Sequence, residues 1–306
     1  FPTVVSPNPE NPEGFALAVE LAKKNRCDLI VGSDPDADRV GVMVRNAQGE
    51  YEVLSGNQTG VLLLDYLIGA KKRAGTLGED AYALTTIVST QMVDKICAVN
   101  HIHTARTFTG FKFLAEKKDA LEGADQGKVF FAFEESFGYM LGDYVRDKDA
   151  VTAIVLIAEM AAWYASQDKT LYDALQECYA KYGHYGESTI NLVMPGLDGM
   201  RDMAAIMEQL HKVPLTEVAG TAVTAQKDYL SGTVTDPATG VVTPMELKDS
   251  NVVAYDLADG TTFIIRPSGT EPKIKVYVLT HGASQAECDE KLVKYTAFAD
   301  VIKTMA

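Results

Sequence analysis

Asn11 and Pro12 introduce a run from Glu13 to Asn25 in which Phe15, Val19 and Ala22 recur at helical spacing. Asn11 suits an N-cap and Pro12 the first helical position, so this run predicts a helix. The period then changes. Asp28 to Gly32 is an apolar run of strand length, Ser33 to Arg39 is an acidic turn, and Val40 to Val44 is apolar again, which predicts strand, loop and strand. Hairpin signals at Asn46 to Gly49 lead into a strand from Tyr51 to Leu54. From Gln58 to Arg73 the apolar positions Val61, Leu64, Leu67 and Ile68 return to helical spacing, with Gly75 just beyond the end. Strands at Ala83 to Val88 and Val129 to Phe133 then alternate with helices at Gln91 to Val99, Phe111 to Glu122 and Val151 to Ala165. Such alternation predicts α/β/α layered domains around a mixed, mostly parallel sheet. Gly183 to Gly199, with Gly186, Pro195 and Gly196, reads as a domain boundary. Shorter strands with Gly and Asp turns follow, closing on a helix from Ser284 to Lys303, so the last part is a smaller α+β domain.

Composition narrows the classes. At roughly 150 residues per domain, 306 residues make about two domains. With 47% hydrophobic and 23% charged residues the chain is neither low-complexity nor collagen-like nor coiled coil. Against 28 basic residues stand 42 acidic ones, a net charge of −14 that repels a phosphate backbone, so nucleic acid is excluded as a partner. The longest apolar stretch, Ala150 to Ala165, is broken by Glu159 and falls short of the ~20 residues a membrane span needs; it predicts a buried helix. Cys27, Cys97, Cys178 and Cys288 are far apart with no CxxC pair, which fits neither a disulfide framework nor a zinc site and points to a reducing cytoplasm. The first residue is Phe1 and no signal peptide follows, so the expectation is a chain cut from something longer.

Three loops carry candidate chemistry. Asp34, Asp36 and Asp38 alternate directly after an apolar strand, and three carboxylates so close repel unless a cation neutralises them. Hard oxygen ligands suit Mg²⁺. A solvated acidic turn is the other reading. An EF-hand fails, because its sixth and twelfth positions are Arg39 and Arg45. A dehalogenase-type phosphatase, with Asp34 as nucleophile, expects Thr or Val two residues after the second Asp, where this chain has Asp38. The second loop, Phe133-Glu134-Glu135-Ser136-Phe137-Gly138-Tyr139, lies at the end of an apolar strand, where ligands sit in open α/β sheets, and its carboxylates and hydroxyl suit sugar hydroxyls. The third, Arg266-Pro267-Ser268-Gly269-Thr270-Glu271-Pro272-Lys273-Ile274-Lys275, combines a bidentate cation, hydroxyls and bare backbone between two strands, the requirements of a phosphate site. It lacks P-loop spacing. A smaller turn, Thr107-Phe108-Thr109-Gly110-Phe111-Lys112, places a Lys near a helix start.

The order of these motifs, with DPDADR, TGFK, EESFG and RPSGTEP in sequence, resembles the α-D-phosphohexomutase superfamily, most of all its phosphoglucomutase/phosphomannomutase members. The resemblance implies four-domain enzymes, of which residues 1–52 would close domain 2, 53–182 form domain 3 and 183–306 form domain 4. It implies phosphoryl transfer between C1 and C6 of a hexose phosphate through a bisphosphorylated sugar, with a phosphoserine as donor. By the same resemblance Asp34, Asp36 and Asp38 would ligate Mg²⁺ and Arg39 would neighbour the transferring phosphate. Glu134 and Ser136 would hold sugar hydroxyls, and Arg266, Ser268, Gly269, Thr270 and Lys275 the other phosphate. Gly138 stands where some bacterial members carry a His, which makes Lys112 the proton-transfer candidate, and Phe133 stands where the loop usually opens with Gly. No Thr-Ala-Ser-His-Asn-Pro-like serine loop occurs in these residues, so the expectation is a chain inactive without N-terminal domains. Two other classes stay open: the dehalogenase-type phosphatase and a non-catalytic sugar-phosphate binding module.

Overall fold

The first predicted helix forms as a 3₁₀ turn, Pro12–Phe15, running into α1 (Ala16–Asn25), which Arg26 ends in the left-handed conformation. Phe15, Ala22, Ile30 and Met43 are buried together, so α1 packs on the hairpin that follows. That hairpin is β1 (Leu29–Ser33) and β2 (Val40–Arg45), extended by β3 (Tyr51–Leu54) into an antiparallel sheet in the order β1-β2-β3. Ser33 pairs with Val40, so the acidic loop is the tip of the β1–β2 hairpin.

A computed structural model describes residues 1–194, 196, 198–269 and 271–305, and the chain divides into two units, Phe1–Tyr182 and Gly183–Ala306. The first unit continues with α2 (Gly56–Ala74), opened by a reciprocal capping box between Ser55 and Gln58 and closed by left-handed Gly75. Then come β4 (Ala81–Thr86), α3 (Met92–Asn100), β5 (His103–Thr107), α4 (Phe111–Gly123), β6 (Lys128–Glu134), β7 (Gly138–Leu141), α5 (Ala150–Ala165) and α6 (Leu171–Tyr182). The second sheet has the order β5-β4-β6-β7. In this sheet β4 pairs in parallel with β5 and β6 while β6–β7 is antiparallel, so it is the expected mixed, mostly parallel sheet, whereas the first sheet is antiparallel. The sequence pattern misses β5, whose HTART run alternates no large apolar residue, and β7, which the hairpin turn hides. It also misses α6.

Parallel pairing sends the C-terminal ends of β4, β5 and β6 to one edge, so Thr86, Thr107 and Glu134 each lead into a loop there. A register shift between β4 and β6 at Tyr82/Ala83 lets Val129 and Ala132 share the face that packs on Phe111, Leu114 and Leu121 of α4. Phe131 and Phe133 stack, with Phe133 continuing onto Tyr139. The Phe133 ring lies so close to Gly60 of α2 that a Cβ there would meet it at 2.3 Å. Ala is favoured over Gly in helices by about 1 kcal/mol, but overpacking costs about 1–3 kcal/mol, so the clash wins. Gly60→Ala should lower the denaturant midpoint, and Phe133→Leu in that background should recover part of the loss. α5 is less buried than its composition predicts: Ala153, Ile157 and Met160 face inward, while Val151 and Val155 are exposed.

Among the described residues the second unit holds an eight-stranded antiparallel sheet. Its elements are β8 (His184–Val193), α7 (Gly199–Lys212), β9 (Glu217–Val218), β10 (Thr221–Asp228), β11 (Thr233–Thr235), β12 (Val242–Pro244), β13 (Val253–Leu257), β14 (Thr262–Pro267), β15 (Lys273–Gly282) and α8 (Gln285–Ile302). The stretch read as a boundary thus holds β8, a ten-residue strand paired along its length with β15. β8 lies at the sheet's edge and is largely polar, which is why its strand character is weak in sequence. Pro195 of that stretch lies outside the described residues. Leu192, Met203, Ile206, Leu210, Tyr255, Phe263, Val276 and Tyr295 are among the residues of its core. No helix among the described residues is long and apolar enough to cross a membrane.

Candidate functional site

The acidic loop is built by its own first residue. Asp34 Oδ1 accepts the backbone N–H groups of Asp38 (3.1 Å) and Arg39 (3.0 Å), and Ala37 takes φ 56° to complete the turn. One carboxylate oxygen from each of Asp34, Asp36 and Asp38 lies within 4.8 Å of the others, with Asp36 exposed and its neighbours half-buried. Arg39 Nε is buried without a hydrogen-bond partner among the described residues, and lies 3.9 Å from Asp38 Oδ1. Three hard oxygens converging beside an unsatisfied guanidinium N–H fit a small divalent cation together with an anionic ligand.

The sugar-type loop meets this turn directly. Val40 N–H donates to the Phe137 carbonyl at 3.1 Å, Arg39 bridges Gly138, and Ala150 N–H donates to the Ala37 carbonyl at 3.0 Å. Glu134 and Gly138 face each other across β6 and β7, leaving a three-residue turn that Phe137 closes at φ 66°. Phe133, in place of a Gly, is an ordinary strand residue.

The two adjacent carboxylates face different neighbours. Glu134, 7% exposed, accepts the Gly110 N–H of the β5–α4 turn and a 3.3 Å bond from the Ser136 hydroxyl. Burial, reinforced by the charge of Glu135, holds its carboxyl above the usual carboxylate range. Glu135 turns the other way, accepting from Thr86 (3.0 Å) and Ser89 (3.1 Å), and Arg106 clamps that β4–α3 loop through the carbonyls of Thr86, Ser89 and Thr90. A carboxyl with a raised folded-state pKa destabilises the fold as pH climbs past its unfolded value, and does so fully above the folded one. Glu134→Gln should therefore raise Tm near neutral pH and leave it unchanged in acid; equal gains at both would disprove the buried charge.

Two lysines lie near the turn, one of which the sequence did not single out. Lys112 is exposed, with Nζ 4.7 Å from the Phe113 ring centroid. Lys148 Nζ lies 3.0 Å from Asp38 Oδ2 and 3.0 Å from Asp147 Oδ1. Burial alone pushes its pKa down, yet the bonds to Asp147 and Asp38 carry it above the ordinary value. Its stem crosses Gly138, where a Cβ would meet Lys148 Cδ at 2.4 Å, so a lysine arm occupies the space a side chain at 138 would fill. The available signal was the Asp147-Lys148-Asp149 triplet ahead of a helix that Asp149 caps.

In the second unit, Arg266 and Lys275 are cross-strand neighbours on β14 and β15, and Arg266 Nε donates to the Tyr277 hydroxyl at 3.2 Å. Ser268 N–H donates to the Lys273 carbonyl at 2.8 Å, so Ser268 and exposed Gly269 sit on the turn between these strands. Thr270 lies outside the described residues.

Comparison with known proteins matches residues 1–49 to "Phosphoglucomutase/phosphomannomutase, alpha/beta/alpha domain II", 55–182 to the corresponding domain III, and 190–291 to the C-terminal domain. A phosphoglucomutase of Staphylococcus aureus (strain MRSA252) is 36% identical over 278 residues, 91% of this chain and 49% of that protein. The chain thus spans about half the length of the curated relatives it matches. Among solved structures, a phosphoglucomutase/phosphomannomutase family protein from Burkholderia thailandensis superposes with TM-score 0.63 at 14% identity, covering 97% of this chain and 52% of that one. Aspergillus fumigatus N-acetylphosphoglucosamine mutase, solved with GlcNAc-6P and magnesium, gives TM-score 0.52 at 14% identity over 94% of this chain and 52% of that one.

Proposed function

Because the chain belongs to the phosphoglucomutase/phosphomannomutase family, we propose that it supplies the metal, sugar and phosphate loops of a mutase that moves a phosphoryl group between C1 and C6 of a hexose phosphate. In this reading residues 1–52 close domain II, 53–182 are domain III and 183–306 are domain IV. The observation that carries it is the hydrogen-bonded contact between the Asp34–Asp38 turn and the Glu134–Gly138 turn through Val40 and Arg39. Phosphoryl transfer asks mainly for positioning and charge neutralisation, and these two turns provide both within one unit.

Asp34, Asp36 and Asp38 would hold Mg²⁺, the cation present in the solved fungal neighbour. When bound, Mg²⁺ neutralises charge on the phosphoryl oxygens in transit. Arg39 brings its unsatisfied Nε–H to the same phosphoryl group. Glu134 accepts from sugar hydroxyls and Ser136 donates or accepts beside it. Lys148 keeps an ammonium against Asp38, and Lys112 stands ready at the neighbouring turn, so proton traffic at the sugar oxygens is assigned to these two lysines. Arg266, Ser268, Gly269, Thr270 and Lys275 grip the phosphate that does not transfer, a clamp that accepts the sugar in two orientations. The reaction needs a phosphorylated donor serine, which the upstream domains of a full-length mutase would carry, in a cytoplasmic setting.

Calorimetric titration with Mg²⁺ tests the metal loop: the wild-type chain should bind weakly and Asp36→Asn should give no heat, whereas equal heats would remove the assignment. For the clamp, Arg266→Ala should weaken hexose-phosphate binding by more than the ~1 kcal/mol of a surface ion pair, because a charge-assisted bidentate contact is lost.

A further inference from the structure

The apolar stripe of α4 runs Phe111, Leu114, Ala115, Lys118, Leu121, all buried, so helical spacing calls for an aliphatic residue where Lys118 stands. Lys118 is 1% exposed, and a buried ammonium is retained only where it is paired. Its partners are Glu122 on the next turn, the Val129 carbonyl at 3.4 Å, and Asp143 Oδ1 at 2.8 Å. The adjacent residue, Asp119, pairs with Arg146 at 2.9 Å, and Arg146 in turn donates to the Asp143 carbonyl at 3.2 Å. Both ion pairs thus run from α4 to the segment between β7 and α5. Among the described residues, no backbone N–H from Gly142 to Lys148 bonds to a backbone carbonyl, and the backbone ties the segment only at its α5 end, where Asp149 and Ala150 N–H donate to the Tyr139 and Ala37 carbonyls at 3.0 Å, so side chains fix the rest of it. Its far end is Lys148, whose arm lies on Gly138 and on the ring of Phe111, the first residue of the same helix.

We infer that Lys118 is a positioning residue that latches the segment 142–149 to α4 and thereby keeps the Lys148 ammonium on Asp38. The inference rests on the reading of the Asp34–Asp38 turn as a cation and phosphoryl site. With the latch closed, Lys148 neutralises part of the turn's charge and competes with an added cation. With it open, the ammonium leaves and the cation binds more tightly.

The test uses the 306-residue chain, wild type, Lys118→Met, Lys118→Arg and Asp143→Asn. Trypsin cuts after Arg146 and Lys148, so cleavage at those bonds reports the latch, and Mg²⁺ calorimetry reports the ammonium. Lys118→Met should speed cleavage there at least tenfold and tighten Mg²⁺ binding about threefold, and Lys118→Arg should restore both toward wild type. Asp143→Asn should match Lys118→Met, and the double variant should be no worse than either, because one interaction is removed twice. Unchanged cleavage and unchanged Mg²⁺ affinity in Lys118→Met would overturn the inference. Should Lys118→Met fail to fold, Asp143→Asn decides by the same criterion, since its side chain is 82% exposed. If Mg²⁺ binds no form of the chain, the metal reading falls and the cleavage rates still decide the latch.

Discussion

Replacing Gly56 with Ala should both destabilise the chain and abolish its hexose-phosphate binding. Gly56 opens α2, and a Cβ on it would lie 2.1 Å from the Glu135 carbonyl oxygen and 2.8 Å from Phe137 N. Those are backbone atoms, so no rotamer change relieves the overlap. Either the first turn of α2 backs away, breaking the 3.1 Å bond from the Tyr139 hydroxyl to the Gly56 carbonyl, or the turn bearing Ser136 moves. Displacing a positioned group by about 1 Å can cost 10²-fold, and Glu134 and Ser136, proposed to hold the sugar hydroxyls, flank the displaced peptide. Gly60→Ala is the control. It clashes with a side-chain ring rather than the turn, so it should lose stability and keep its affinity. Equal affinities for Gly56→Ala and wild type, measured calorimetrically below their melting temperatures, would detach the Glu134 loop from the sugar.

Residues whose role is local were legible in the sequence. Asp34 announces a turn because its carboxylate acts on groups a few residues away, and the capping box between Ser55 and Gln58 is written within four positions. β8 was not legible, since an edge strand with one paired side needs few apolar residues, and its pairing to β15 reaches across most of the second unit. Lys148 was hidden for a related reason. Its importance comes from Gly138, which leaves room for the arm, and from Asp38, more than a hundred positions away in the chain. Lys118 breaks an apolar stripe, and that local inconsistency was the readable sign of a constrained residue. Glu134 and Glu135 look equivalent as a pair of carboxylates. Only the parallel placement of β4, β5 and β6 sends one to Gly110 and the other to Thr86 and Ser89.

The largest contrast is expected in turnover. Supplied with glucose 1-phosphate and Mg²⁺, the 306-residue chain by itself should neither isomerise the sugar nor release inorganic phosphate above background. These residues contain the loops proposed to hold sugar, metal and phosphate but no Thr-Ala-Ser-His-Asn-Pro-like segment to donate a phosphoryl group. Asp34 is a poor substitute, because its Oδ1 is engaged by the N–H groups of Asp38 and Arg39 and holds the turn together. Adding a separately produced N-terminal half, its serine phosphorylated, should start isomerisation and raise the rate at least about 10³-fold, the scale on which single charged groups act in phosphoryl transfer. In that complemented mixture Arg39→Ala should lose most of the gain, since its Nε–H has no hydrogen-bond partner among the described residues. A dehalogenase-type phosphatase behaves oppositely: it carries its nucleophile on this chain and hydrolyses hexose phosphates without help. Phosphate release by the purified chain, abolished in Asp34→Asn, would therefore replace the mutase reading with the hydrolase one.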